Sequence, residues 1–193
     1  MGDCSRITLG LVAAACGKQA TGGTNPRVIL LNYADIDRAL SAEADGVISS
    51  IVLKEDTLGY EFTSLDNAAV GTATFNKGTY FGNFQHDLAL RVFTKSEDAK
   101  KFVNSLNGAR VVAIVENKEG GAGGAVKYEA YGWDAGLELN EGTGTTEIAD
   151  GVVYELTIGS GETSKEGTLP KSVFAATLAA TETMLAALVT TGA

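Results

Sequence analysis

The sequence predicts a mainly β fold (β+α), an antiparallel β-sandwich or barrel of six or seven strands. One helix is expected between two of the strands and a helical segment near the C-terminus. Three observations predict this class. Short segments alternate apolar and polar residues at period two, 24 glycines stand against only 2 prolines, and helical periodicity is confined to two places. A chain of 193 residues forms one sizeable core. We therefore expect one domain over 27–193 after an N-terminal arm, 1–26.

The best-specified stretch runs from His86 to Leu139. Apolar and polar residues alternate over 86–93, which is typical of a half-buried strand. Ser96 is a helix N-cap followed by two acidic residues, and apolar residues then recur at helical spacing until Gly108, a C-cap glycine. The β-branched run 110–116 predicts a central strand.

The segments on the N-terminal side predict strands and one ambiguous connection. The run 27–33 is apolar throughout and predicts a strand that is buried on both faces. Residues 34–46 fit a helical turn or a loop that ends at Gly46. Strand 47–54 is expected to form a hairpin with 59–65.

The segments on the C-terminal side predict two hairpins and a final helix. The glycine-rich residues 119–125 predict a long flexible hairpin loop, and Gly132 permits a bulge or kink before Trp133. A hairpin is expected over 137–161. The alanine and leucine content of residues 172–189 predicts a helix there, although the threonines in this segment lower its helix propensity.

The sequence gives no set of catalytic residues, so we expect no enzyme activity. The single histidine, His86, precedes Asp87, and this pair suggests a general base only if a nucleophile lies near it. No G-x-S-x-G nucleophile motif is present. A strand-end histidine without a catalytic role is the prediction.

No cofactor or metal site is expected either. The two cysteines and one histidine do not supply the ligands of a zinc site. Residues 119–125 lack the third glycine of a dinucleotide fingerprint, and no phosphate-binding loop motif occurs. Asp35 and Asp37 lack the later glycine and glutamate of a calcium loop, so they are read as solvated turn carboxylates.

The charge and the N-terminus limit the partners. A net charge of −9 argues against sequence-independent phosphate binding, which needs clustered Lys and Arg. Cys4 and Cys16 are read as free thiols, with a disulfide between them as the alternative. The apolar run before Cys16 is short for a lipoprotein signal, and no stretch approaches a membrane span of ~20 apolar residues. A soluble protein is expected.

One segment differs in kind from the others. Residues 66–85 interleave glycines and small polar residues with aromatics and predict a loop or irregular hairpin. Aromatic side chains are enriched at protein interfaces, so this segment is the leading candidate for contacts between subunits, with cover of the core as the alternative. The candidate contact residues, which include one from the C-terminal segment, are Phe75, Tyr80, Phe81, Phe84 and Phe174.

The order of these segments resembles phage tail tube proteins, those of phages and prophages of gut Bacteroidetes. The segments that carry the resemblance are HDLALRVF, SEDAKKFVNSL, GARVVAIVENK, a variable glycine-rich loop, YEAYGWDAGLELNEG, DGVVYELTIGSGE, LP and a terminal helical segment. The resemblance implies a subunit that assembles with copies of itself into rings, commonly hexameric, stacked as a hollow tube in the virion. DNA would pass through without specific binding, and other tail proteins would be partners. The arm 1–26, the loop 66–85 and the tail after Pro170 match the positions that contact neighbouring rings.

A binding module is the alternative, such as a surface lipoprotein, a capsid decoration protein or a carbohydrate- or partner-binding domain. Tyr128, Tyr131 and Trp133 would be its aromatic platform. Strand alternation places Tyr131 and Trp133 on one face and Tyr128 on the other, which weakens a shared platform.

Overall fold

The structure is a computed structural model that describes residues 23–65, 67–78, 82–145, 151–161 and 164–190. Within these ranges the chain forms twelve strands and two α-helices, so the mainly β class is confirmed, whereas six or seven strands is too few. The elements are β1 (Thr24–Asn32), β2 (Ala42–Ala44), β3 (Val47–Ser50), β4 (Gly59–Thr63), β5 (Ala69–Lys77), β6 (Gly82–Val92), α1 (Glu97–Ser105), β7 (Arg110–Asn117), β8 (Tyr128–Tyr131), β9 (Leu137–Gly144), β10 (Tyr154–Gly159), β11 (Lys171–Val173), α2 (Leu178–Ala187) and β12 (Val189–Thr190).

The strands form one mixed sheet that branches at β7. One edge of β7 pairs with β1. The other edge pairs with β9 at the first two residues of β7 and with β8 over residues 113–116. From β9 the sheet continues through β10 and β6 to β5, and from β8 it continues through β11 and β3 to β2. Most pairs are antiparallel, but β3–β11 and β4–β12 are parallel. The predicted central position of β7 is confirmed.

Two hydrophobic cores lie on opposite faces of β1 and β7. Val28 and Leu30 of β1 enter the first core, and Ile29 and Leu31 enter the second. The first core also takes its apolar side chains from β6, β9, β10 and α1, and the second from β3, β8, β11 and α2. Because successive strand residues point to opposite faces, a strand between two cores is apolar at every position. The continuous apolar run in β1 therefore has a structural explanation.

The helix α1 forms as predicted. The Ser96 side chain accepts a hydrogen bond from the Ala99 N–H at 3.1 Å, and Gly108 takes the left-handed conformation with φ +78°. Phe102 stacks on Phe62 of β4 with ring centroids 5.4 Å apart. This contact fixes α1 over the first core.

The predicted hairpin between 47–54 and 59–65 is wrong. β3 pairs with β2 and β11, whereas β4 pairs with β1 and β12. The reason is that the two strands serve different cores: Ile48 is buried in the second and Phe62 in the first. Residues 34–46 also differ from prediction, since they contain the short strand β2 after a 3-10 turn at Tyr33–Asp35.

The C-terminal helix is shorter than predicted. Residues 171–173 form β11, because the buried Val173 belongs to the second core. Ala176 has φ +65°, which is incompatible with a continuing helix. The helix begins only after Thr177, whose side chain accepts from the Ala180 N–H at 3.1 Å.

The first and last strands lie at the two ends of the described residues. β1 begins at Thr24, so the last residues of the predicted arm 1–26 belong to the sheet. The remainder of that arm, including Cys4 and Cys16, lies outside the described residues. At the other end, β12 brings the chain back against β4.

Candidate assembly surface

Four consecutive antiparallel strands form a sheet segment that we call the edge sheet: β9, β10, β6 and β5. Its register places Leu88 of β6 opposite Ile158 of β10, and Ile158 opposite Leu139 of β9. The inner face of the edge sheet covers the first core, since Leu88 and Ile158 are buried there. The two inner strands are paired on both sides, so the outer sides of β9 and β5 are the edges of this segment.

The register shows which backbone groups of β5 point away from the sheet. The Arg91 N–H donates to the Ala68 carbonyl oxygen at 2.8 Å, so these opposed residues form a hydrogen-bonded pair. Hydrogen-bonded and non-hydrogen-bonded pairs alternate in an antiparallel ladder. The N–H and C=O groups of Gly71, Ala73 and Phe75 therefore point outward.

Only the beginning of that outer edge is covered in the described part of the chain. The Thr24 hydroxyl donates to the Ala69 carbonyl oxygen, as the alternation requires. Beyond it, β5 has no strand partner other than β6 within the described ranges. Residues 70–76 carry no charge, and Val70 and Phe75 are 40% and 58% exposed. Monomeric proteins usually protect such an edge with charges, prolines or bulges.

The opposite edge, on β9, is also open. β7 pairs with only Leu137 and Glu138 of β9, which leaves residues 139–144 without a second strand partner in the described chain. The Thr145 N–H donates to the carbonyl oxygen of Val153, just before β10, at 3.0 Å. Because hydrogen-bonded and non-hydrogen-bonded pairs alternate, Gly142 and Gly144 direct their N–H and C=O groups away from β10. A groove of about 440 Å³ runs between this edge and α1.

The outer face of the edge sheet is polar and acidic. Asp87, Glu138 and Glu155 alternate with the buried or half-buried positions of their strands, and Glu141 lies opposite Thr157 on the same face after a register shift. Two basic residues contact the same face: the Arg91 Nε donates to the Glu155 carboxylate at 3.0 Å, and the Lys165 ammonium donates to the Gln85 side chain at 2.8 Å. The acidic side chains of this face outnumber the basic ones, so its formal charge is negative.

The predicted contact residues are placed as follows. Phe75 and Phe84 face each other across the β5–β6 hairpin with ring centroids 5.3 Å apart. This hairpin is a regular ladder of nine opposed pairs. The prediction of a loop or irregular hairpin over 66–85 is therefore wrong, because the described strands of this segment pair regularly. Phe174 is half-buried just after β11 and is not part of this surface. Tyr80 and Phe81 lie outside the described residues.

At the base of the hairpin, His86 is a buried cross-link. Its side chain is 2% exposed, its Nε2 lies 2.9 Å from the Thr168 carbonyl oxygen, and its Nδ1 accepts from the Gly132 N–H at 3.2 Å. The Thr168 carbonyl oxygen can only accept, so Nε2 carries a proton; Nδ1 accepts from an N–H group, so it carries none, and the ring is neutral. Burial lowers the pKa of His86, with the Lys171 charge acting in the same direction. The ring ties β6 to two loops.

Glu166 and Lys171 complete this polar cluster. The Glu166 carboxylate is 1% exposed and accepts from the Ala135 and Asp134 N–H groups at 2.8 and 3.1 Å. Burial raises the pKa of Glu166, while the two N–H donors act against the rise. The Lys171 ammonium contacts Asp134 at 2.7 Å and Glu43 at 2.8 Å. Burial alone would lower the pKa of Lys171, but these two carboxylates together outweigh it and the pKa is raised.

The aromatic platform considered from the sequence is not formed. Tyr128, Tyr131 and Trp133 are all buried, with exposures of 3%, 7% and 4%. Gly132 has φ +73°, and this kink turns Trp133 into the second core beside Tyr128, whereas Tyr131 lies in the first. The predicted kink is therefore confirmed, and the predicted shared face of Tyr131 and Trp133 is wrong.

The titration of His86 predicts how stability depends on pH. The pKa of His86 in the folded protein lies below 6.5, its ordinary value in an unfolded chain. The neutral ring therefore contributes its full stabilisation above pH 6.5, and this contribution is lost as the pH falls through the folded pKa. We expect the wild type to lose more stability than His86→Gln between about pH 7 and about pH 5. The raised pKa of Glu166 acts in the opposite direction, but it is present in both proteins and cancels in the difference. Urea unfolding at several pH values measures the free energy of unfolding of both proteins. An equal dependence of that free energy on pH in the two proteins would contradict a neutral, buried His86.

Sequence reasoning missed two features of this region. The open edge of β5 has a sequence signal, the uncharged alternation of residues 69–76, but its glycine and small residues are equally typical of a loop. Glu166 and Lys171 had no such signal, since charges beside glycine and proline are usually solvated. Lys171 is placed by the pairing of β11 with β8, and Glu166 is placed by the pairing of its backbone with Phe84 of β6.

Neither a metal-binding group nor a membrane-spanning helix occurs in the described ranges. No group of three His, Cys, Asp or Glu side chains is arranged to hold a metal ion there. None of the helices in that part of the chain has the length and apolar character to cross a membrane. Comparison of the chain with protein-family models, with curated proteins and with solved structures gave no match.

Proposed function

We propose that this protein is a non-enzymatic structural subunit that assembles with copies of itself into rings, stacked as the tail tube of a phage. Such rings would be hexameric, would form in the cytoplasm of the bacterial host and would join other tail proteins in the virion. The observation that carries the proposal is the edge sheet, whose two opposite edges are open in the described chain. The resemblance of the segment order to tail tube proteins supports the same function.

Two different open edges favour a head-to-tail interface. The β5 edge of one copy and the β9 edge of the next would join two edge sheets into one continuous sheet. An interface between unlike surfaces closes into a ring when its rotation allows. Six copies of four strands, spaced by about 4.8 Å, would give a circumference of about 115 Å and a diameter of roughly 37 Å.

The acidic outer face of the edge sheet fits the surface of a passage for DNA. If this face lines the ring, Asp87, Glu138 and Glu141 would meet the phosphate backbone with like charge. Affinity for DNA depends on neutralising phosphates with Lys and Arg, so such a surface lets the polymer move without binding. The first core on the inner face stays within each subunit.

The assembly edge predicts a selective effect of Ala73→Pro. The Ala73 N–H points outward, so proline at this edge position removes a donor that β6 does not use. We expect the variant to fold with the stability of the wild type and to remain monomeric at concentrations where the wild type forms rings or tubes. Analytical ultracentrifugation and negative-stain electron microscopy measure the assembly.

Thr72→Ala is the matched control, because the Thr72 backbone bonds to β6 and its side chain lies on the exposed face. This variant should assemble like the wild type. A wild-type protein that stays strictly monomeric at high concentration, both alone and with preformed tubes added, would contradict the proposed function. Assembly that persists in Ala73→Pro would instead exclude the β5 edge as the interface.

A further inference from the structure

A second surface is independent of the edge sheet: an apolar pocket between α1 and the ends of β1 and β7. Its volume is about 430 Å³, which lies within the range of pockets that bind ligands. Its wall includes Leu30, Phe102, Leu106 and Val111, and Tyr60, 57% exposed, stands at its rim. The wall therefore offers apolar surface that water covers unless another group binds there.

The pocket has little to attract a charged ligand. Among the residues that line it, the charged one is Lys101, and its ammonium already lies 3.2 Å from the Asp98 carboxylate. Asn32 and Ser105 are the neutral polar residues of the wall. An uncharged aliphatic chain is the best chemical match, because binding it leaves no charge desolvated without a partner.

We propose that the N-terminal apolar segment of this chain, residues 7–15, binds in this pocket. The segment reads ITLGLVAAA and contains no charge. Among the parts of the chain outside the described residues, it is the longest uncharged apolar run. Its isoleucine, leucine and valine side chains gain by leaving water, in proportion to the apolar area buried. The pocket and the segment each present apolar surface that the other covers.

The length of the connecting chain allows this placement. Residues 16–23 join the segment to β1, and a chain reaches at most ~3.3–3.6 Å per residue. Leu30 lies six residues along β1 from Thr24, about 20 Å at the rise of a strand. The connection, at most ~29 Å, therefore spans the distance to the pocket of the same subunit and also permits exchange with a neighbouring copy.

Hydrogen exchange on the full-length protein tests the proposal. We expect the amides of residues 7–15 to exchange at least about tenfold more slowly than an unstructured chain. Ser105→Arg, which places a guanidinium at the pocket, should remove this protection. Asn104→Arg is the matched control, since the neighbouring side chain is equally exposed and lines the groove beside β9; it should leave the protection unchanged.

A second variant tests the other partner of the contact. Leu9→Asp combined with Leu11→Asp should speed exchange in residues 101–106, because the segment no longer covers α1. This pair decides the matter if Ser105→Arg does not fold. Protection that rises with protein concentration identifies the pocket of a neighbouring copy, and protection that does not identifies the same subunit; both support the proposal.

Three results would overturn the proposal: unprotected residues 7–15 in the wild type, protection that survives in a folded Ser105→Arg, or unchanged α1 exchange in the double variant. None of these measurements requires rings or tubes. Failure here would therefore leave the proposed assembly through the edge sheet standing, and failure of assembly would leave this contact standing.

Discussion

Replacing His86 with alanine should lower the free energy of unfolding by roughly 3 kcal/mol, since a cavity and two unpaired polar groups are created together. The imidazole is 2% exposed, and its loss leaves the Gly132 N–H and the Thr168 carbonyl without their partner. Tyr131 would also lose its edge-on contact with the ring, whose centroid lies 5.7 Å away. Urea denaturation followed by circular dichroism measures the change.

Two controls give this result its meaning. His86→Gln restores some of the hydrogen-bonding capacity, so it should recover part of the lost stability. Thr72→Ala, on the exposed face of the same hairpin, should change stability by less than about 0.5 kcal/mol. If His86→Ala unfolds like the wild type, the ring is not the cross-link between β6 and the two loops that the geometry describes.

Replacing Leu185 with alanine should cost about 3–4 kcal/mol, in the range measured for buried leucines truncated to alanine. Leu185 is 0% exposed and packs from α2 into the second core. The helix has threonines and a weak intrinsic preference, so its stability depends on this packing and not on its own sequence. Thermal and urea unfolding both report the loss.

Thr183→Ala on the same helix is the control. Thr183 is exposed, and its hydroxyl donates to the Ala179 carbonyl oxygen at 2.9 Å within the helix. Its removal should change the free energy of unfolding by less than about 0.5 kcal/mol. A loss below about 1 kcal/mol for Leu185→Ala would mean that α2 does not cover the second core.

The acidic outer face and the His86 cluster differ in how far the sequence predicts them. The strand alternation that buries Leu88 and Leu90 also places Asp87 and Arg91 on the opposite face, so a polar face was predictable. The cluster was not predictable, because Glu166 reaches the Asp134 and Ala135 N–H groups only after distant loops meet. Contacts between residues far apart in the chain leave no local pattern.

Local sequence patterns are sufficient to predict the mainly β class, the capped helix α1, the central strand β7 and the kink at Gly132, because period, capping and backbone freedom are local properties. Long-range packing separates β3 from β4, since each strand packs into a different core. It also decided that β11 replaces the start of the predicted final helix, where burial of Val173 overrides helix preference. The open edges of β5 and β9 also depend on the tertiary structure, because the whole sheet determines whether a strand has a second partner.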